Sequence, residues 1–86
     1  MKFMRKQHSR TKEELKAVLT AAAQQNGFHT ALQWDGFAFY AHKLGTTVRG
    51  FIFDNELHVE IFGLLEHKAE QRVHAEWKNL VNRGLV

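Results

Sequence analysis

Glu56, His58 and Glu60 alternate along one run of the chain, two carboxylates flanking an imidazole. Residues two apart on a β-strand share a face, so this spacing sets a proton donor beside proton acceptors. General acid–base chemistry needs more than proximity, because a useful pKa comes from burial or from a fixed charge partner. These residues are expected on a sheet face with no layer over it, so no catalytic residue is assigned. The chain also lacks Gly-x-Ser-x-Gly, a phosphate loop, and a Gly-x-Gly-x-x-Gly turn opening a helix. Six histidines among 86 residues raise metal binding as a second chemistry. His29 and His42 are expected to face each other at the open end of a hairpin, with His58 on the same side. Yet there is no His-Glu-x-x-His, no histidine pair four apart on a helix, and no cysteine. His67 and His74, seven apart beside Glu70, suit a solvated helix face equally well. The reading is no enzyme, no metal and no cofactor.

Aromatic residues offer a third chemistry. Tyr40, Phe51 and Phe53 share a face with His29, Ala31, Gln33, Ala38, His42, Arg49, Glu56, His58 and Glu60. Three aromatic rings on a bare sheet face form the kind of apolar patch that meets something. Tyr40, Phe51, Phe53 and His58 are therefore the candidate partner-binding face. Its cover is expected to be a protein partner or hydrophobic surface, a second copy of the chain, or the basic segment folded over it. A rival use is stacking unpaired bases, with Lys2, Arg5, Lys6 and Arg10 on phosphates. Against that stand Glu56 and Glu60 on the same face. Val48-Arg49-Gly50-Phe51-Ile52-Phe53 only partly echoes the Lys/Arg-Gly-Phe signature of RNA-recognition domains.

Four strands must position these residues. Between Phe28 and Phe62, alternating runs are separated by Asp35-Gly36, by Gly45-Thr46-Thr47 and by Asp54-Asn55. Asp-Gly and Asp-Asn favour the positive-φ turns that match strand twist, which predicts an antiparallel meander with two tight hairpins. Turning at Asp35-Gly36 pairs Trp34 with Phe37, Gln33 with Ala38, Leu32 with Phe39 and Ala31 with Tyr40. Turning at Asp54-Asn55 pairs Ile52 with Leu57, Gly50 with Val59 and Val48 with Ile61, and sets Arg49 across from Glu60. The predicted core is Leu32, Trp34, Phe37, Phe39, Val48, Ile52, Leu57, Val59 and Ile61. Gly50 interrupts it and invites a bulge or a close helix contact.

An opening strand is expected from Met1 to about His8. Thr11-Lys12-Glu13-Glu14 then reads as a capping box, and Leu15, Val18, Leu19 and Ala22 form one helical stripe ending at Asn26-Gly27. A second helix from about Leu64 to Asn82 carries Leu65, Ala69, Val73, Trp77 and Leu80, with Trp34 and Trp77 largely buried. The expected fold is a single α+β domain over residues 1–86, in the order β-α-β-β-β-β-α. It has two layers, with both helices packed on one face of an antiparallel meander.

Composition agrees with one small core: 44% hydrophobic residues, a net charge of +3 and a pI near 9.5. Five of the basic residues (Lys2, Arg5, Lys6, Arg10 and Lys12) crowd the first dozen positions. No apolar run has the length of a signal peptide or a membrane span, and no disulfide can form. The expectation is a soluble cytoplasmic protein.

With these residues in view, the chain resembles the small bacterial family of polyhydroxyalkanoic acid system proteins. The resemblance is carried by His8-Ser9 before Lys12-Glu13-Glu14-Leu15, and by Trp34-Asp35-Gly36-Phe37-Ala38-Phe39. It continues through Gly50-Phe51-Ile52-Phe53, Glu56-Leu57-His58-Val59-Glu60-Ile61 and Gly63-Leu64-Leu65, spanning nearly the whole chain in order. It implies an accessory role in the metabolism of storage-polyester granules. No catalytic residues come with it, and the long apolar helices of a granule-coating surfactant are absent.

Overall fold

The computed structural model describes residues 1–27 and 31–86. Five strands and two helices follow in the order β1 (Lys2–Gln7), α1 (Lys12–Gln25), β2 (Leu32–Asp35), β3 (Ala38–Lys43), β4 (Thr46–Ile52), β5 (Glu56–Gly63) and α2 (Glu66–Asn82). The fold is α+β, as expected. All five strands form one antiparallel sheet ordered β1-β5-β4-β3-β2. The opening strand joins the edge beside β5, pairing Met4 with Val59 and Phe3 with Glu60.

The β4–β5 hairpin has the predicted register, with Ile52 opposite Leu57 and Arg49 opposite Glu60. The first hairpin does not. Its two-residue loop is Gly36-Phe37, and Trp34 faces Phe39 while Gln33 faces Tyr40 and Asp35 faces Ala38. Gly36 alone takes a positive φ (62°) there, so the glycine leads the turn and Asp35 stays in the strand. Partners shift by two positions, which preserves parity, so each residue keeps its predicted face. A further correction concerns the β3–β4 connection. Leu44 (φ 54°) and Gly45 (φ 72°) form a two-residue turn, and Thr46 and Thr47 are buried strand residues. The Thr46 hydroxyl accepts the Leu65 N–H at 2.8 Å, which secures an α2 start that has no side-chain cap of its own.

Gly50 hosts no bulge, since the ladders on both sides run through it unbroken. The ring of Phe39, its cross-strand partner, lies where a Gly50 side chain would be, and the His58 carbonyl stands 2.6 Å from that Cβ position. An aromatic side chain thereby fills a gap that the adjacent strand leaves open.

Met4, Leu15, Ile52, Leu57, Val59 and Ile61 form the buried core, with Trp34, Phe37, Phe39, Val48, Ala69, Val73 and Trp77 packed around it. The core is therefore centred on β1, β5 and β4, and Leu32 at the far edge is only half-buried. Trp34 and Trp77 are also half-buried, less enclosed than their apolar spacing implied. Both helices cover this face. Thr11 and Glu14 complete the predicted capping box, and hydrogen bonds from Thr11 hold the Glu14 carboxyl below its ordinary pKa.

Candidate functional site

On the other face, the register lines side chains up in rows across all five strands. One row runs Phe3, Glu60, Arg49, Tyr40, Gln33, and the next runs Arg5, His58, Phe51, Ala38, Asp35. Phe53 follows Phe51 just past the end of β4. Neither helix reaches this side, so Phe3 remains 52% exposed, Phe53 45%, Tyr40 44% and Phe51 42%. The sheet shapes these residues into a trough of about 460 Å³, bordered by Phe3, Tyr40, Phe51, Phe53, Arg49 and Asp35. Three of the four candidate residues (Phe51, Phe53 and His58) stand in ring contact. Phe53 lies 4.8 Å from Phe51 and 4.5 Å from His58, measured between ring centres. Tyr40 borders the same trough one strand away.

Phe3 also belongs to this surface, its ring edge-on to His58 at 5.6 Å. Sequence pattern alone could not place it there, because nothing local says which strand β1 joins. Phe62 adds a further ring beneath the Arg49 guanidinium, at 5.4 Å.

The charges on this face are largely matched within the chain. Arg49 Nε donates to Glu60 Oε2 at 2.9 Å, the predicted cross-strand pair. An exposed pair of this kind contributes roughly 0.2–1 kcal/mol. His58 Nε2 stands 3.3 Å from Glu56 Oε1, and Arg5 approaches the other oxygen of Glu56 at 3.9 Å. Glu56, His58 and Glu60 do share a strand face, but they do not converge on one point. Glu60 is drawn towards Arg49, and Glu56 towards His58 and Arg5.

The remaining described histidines are dispersed. His42 Nδ1 meets the Thr47 hydroxyl at 2.8 Å, His74 Nδ1 accepts from Lys6 at 2.7 Å, and His67 pairs with Gln71. The expected meeting of His42 with His29 lies outside the described residues. Among the described residues, no three metal-ligating side chains gather.

His8 has a structural part that its spacing did not reveal. It is buried, its Nδ1 accepts the Arg10 N–H, and its Nε2 lies 2.9 Å from the Phe53 carbonyl. The acceptor role of Nδ1 leaves the proton on Nε2 to donate to Phe53. This imidazole ties the β1–α1 corner to the backbone beneath Phe53.

The basic segment does not fold over the rings. Lys6 turns to α2 through His74, and Arg10 donates to the Gly84 and Leu85 carbonyls at 2.7 and 3.2 Å. Lys12 sits 3.9 Å from Asp54 and above the Phe37 ring. Of the five early basic residues, only Arg5 shares the aromatic face by strand alternation. No helix among the described residues is long and apolar enough to cross a membrane. No family model, no curated protein and no solved structure matches this chain.

Proposed function

We propose that this chain is a non-enzymatic accessory protein whose working surface is the open sheet face. That face holds a hydrophobic surface or a protein partner. One observation carries the reading: four rings, Phe3, Tyr40, Phe51 and Phe53, each remain between two-fifths and about half exposed on the side without helices. Leaving so much aromatic area in water forgoes stabilisation that burial would supply, and contiguous apolar patches of this kind mark interaction surfaces. The surface suggested by the sequence resemblance is a storage-polyester granule in the cytoplasm.

Unpaired nucleic acid would also stack on such rings, but two of the four basic residues meant for phosphates are engaged elsewhere. Lys6 contacts His74 and Arg10 the Gly84 and Leu85 carbonyls, while Arg5 lies 3.9 Å from Glu56. The two attachments respond to salt in opposite directions. Phosphate contacts release counterions and weaken as salt rises, whereas apolar burial strengthens in sulfate. Co-sedimentation of the protein with amorphous polyhydroxybutyrate granules is expected to hold or increase as sodium sulfate is raised. Release of the protein into the supernatant by the salt would contradict an apolar attachment.

A further inference from the structure

Resting on that reading of the open face, we propose that its protein partner is a second copy of the chain. The two copies dock face to face about a two-fold axis that crosses the strands. Such an axis, passing between the two central rows, lays each strand over its own copy running in the opposite direction. The Phe3–Glu60–Arg49–Tyr40–Gln33 row of one copy then meets the Arg5–His58–Phe51–Ala38–Asp35 row of the other.

Every position finds a complement. The Arg49 guanidinium meets the Phe51 ring, and at the β1 edge Arg5 meets Phe3, both cation-over-ring contacts. The Glu60 carboxylate faces the His58 imidazole. Tyr40, the largest side chain of its strand, faces Ala38, one of the smallest. The Gln33 amide faces Asp35, an exposed carboxylate on the trough wall. A two-fold interface must be self-complementary in this pairwise sense, residue i on j and j on i. The other two-fold, running along the central strand β4, would set Arg49 against Arg49 and so opposes like charges.

Size fixes the expected strength. Five strands about 4.8 Å apart and roughly 20 Å long give a footprint of roughly 400–450 Å² per copy. Doubled, that is about 800–900 Å², short of the ~1,200–2,000 Å² of stable complexes. The dimer is thus expected to be reversible, with a micromolar dissociation constant. The helices lie outside, and the face is free again whenever the copies part.

Sedimentation velocity of the full chain, from low to high micromolar concentration, tests this. Wild type is expected to pass from the 10.0 kDa chain mass to twice that value. Phe51→Arg opposes Arg49 of the other copy and should raise the dissociation constant roughly tenfold or more. Phe51→Glu is equally polar but faces that same arginine, so it should stay dimeric. Ala38→Trp enlarges the apolar patch yet clashes with Tyr40 across the axis, so it should be monomeric. Each variant is compared after its far-UV circular dichroism matches wild type. Three results would each overturn the dimer: a wild type that stays monomeric, unchanged affinity in both Phe51→Arg and Ala38→Trp, or Phe51→Glu dissociating as fully as Phe51→Arg. Granule co-sedimentation of Ala38→Trp separates the two readings. A monomer that still sediments keeps the apolar-surface reading intact whatever becomes of the dimer.

Discussion

Gly63→Ala is expected to cost about 2–6 kcal/mol, a large share of the stability of a domain this small. Gly63 ends β5 with φ at 126°, a conformation that side-chain-bearing residues rarely adopt. Its missing Cβ also leaves room for the neighbouring turn. A methyl group there would strike the Gly45 carbonyl oxygen and come within 2.8 Å of the Thr46 Cα. Both are backbone atoms, so no rotamer change relieves the contact. Strain of about 1–3 kcal/mol for the dihedral adds to about 1–3 kcal/mol for overpacking. A domain this small has a stability near the lower end of the ~5–15 kcal/mol range. Urea unfolding checks the outcome: a midpoint indistinguishable from wild type would mean that the β3–β4 turn does not dock on Gly63.

Leu15→Ala is the second large effect. Leu15 is the one fully buried residue of α1 and sits in the core cluster with Ile52, Val59 and Ile61. Truncation removes its transfer free energy and leaves a cavity, together about 2–5 kcal/mol. Each kcal/mol moves the melting temperature of a domain of this length by about 4–8 °C. A loss of about 8 °C or more is therefore expected by differential scanning calorimetry. A change under about 3 °C would mean that α1 is held mainly by its cap and its lysines, among them Lys16, which donates to the Gly36 carbonyl at 2.7 Å.

What could be read in the chain was local. Asp54-Asn55 sits between two strands that pair directly, so the turn alone fixes the register of Arg49 against Glu60. Thr11 and Glu14 lie within one helical turn, and their reciprocal bonds form as their spacing implies. The Asp35-Gly36 turn slid because glycine is permitted at either loop position, yet alternation protected the face assignment of Tyr40 and Ala38. The residues that escaped notice depend on distant partners. Phe3 joined the aromatic face only because β1 pairs with β5, nearly sixty residues on. His8 is buried by Phe53, 45 positions away. Met4 belongs to the core for the same reason as Phe3 belongs to the open face, since the two alternate on one strand. All four candidate residues keep their predicted face because strand alternation sets it, and Phe51, Phe53 and His58 are in addition neighbours in space.

The claim that the open face is the binding surface is tested most directly by removing its two central rings. Phe51 and Phe53 contact each other and His58 without entering the core cluster. Phe51→Ser/Phe53→Ser should therefore leave the fold intact while stripping apolar area from the trough. The measurement is the fraction of folded protein that co-sediments with polyhydroxybutyrate granules, double variant against wild type, at equal concentration. Most wild-type protein is expected to pellet, and most of the folded variant to stay in solution. Equal partitioning of the two folded proteins would contradict it, because the attachment would then lie on the helical side.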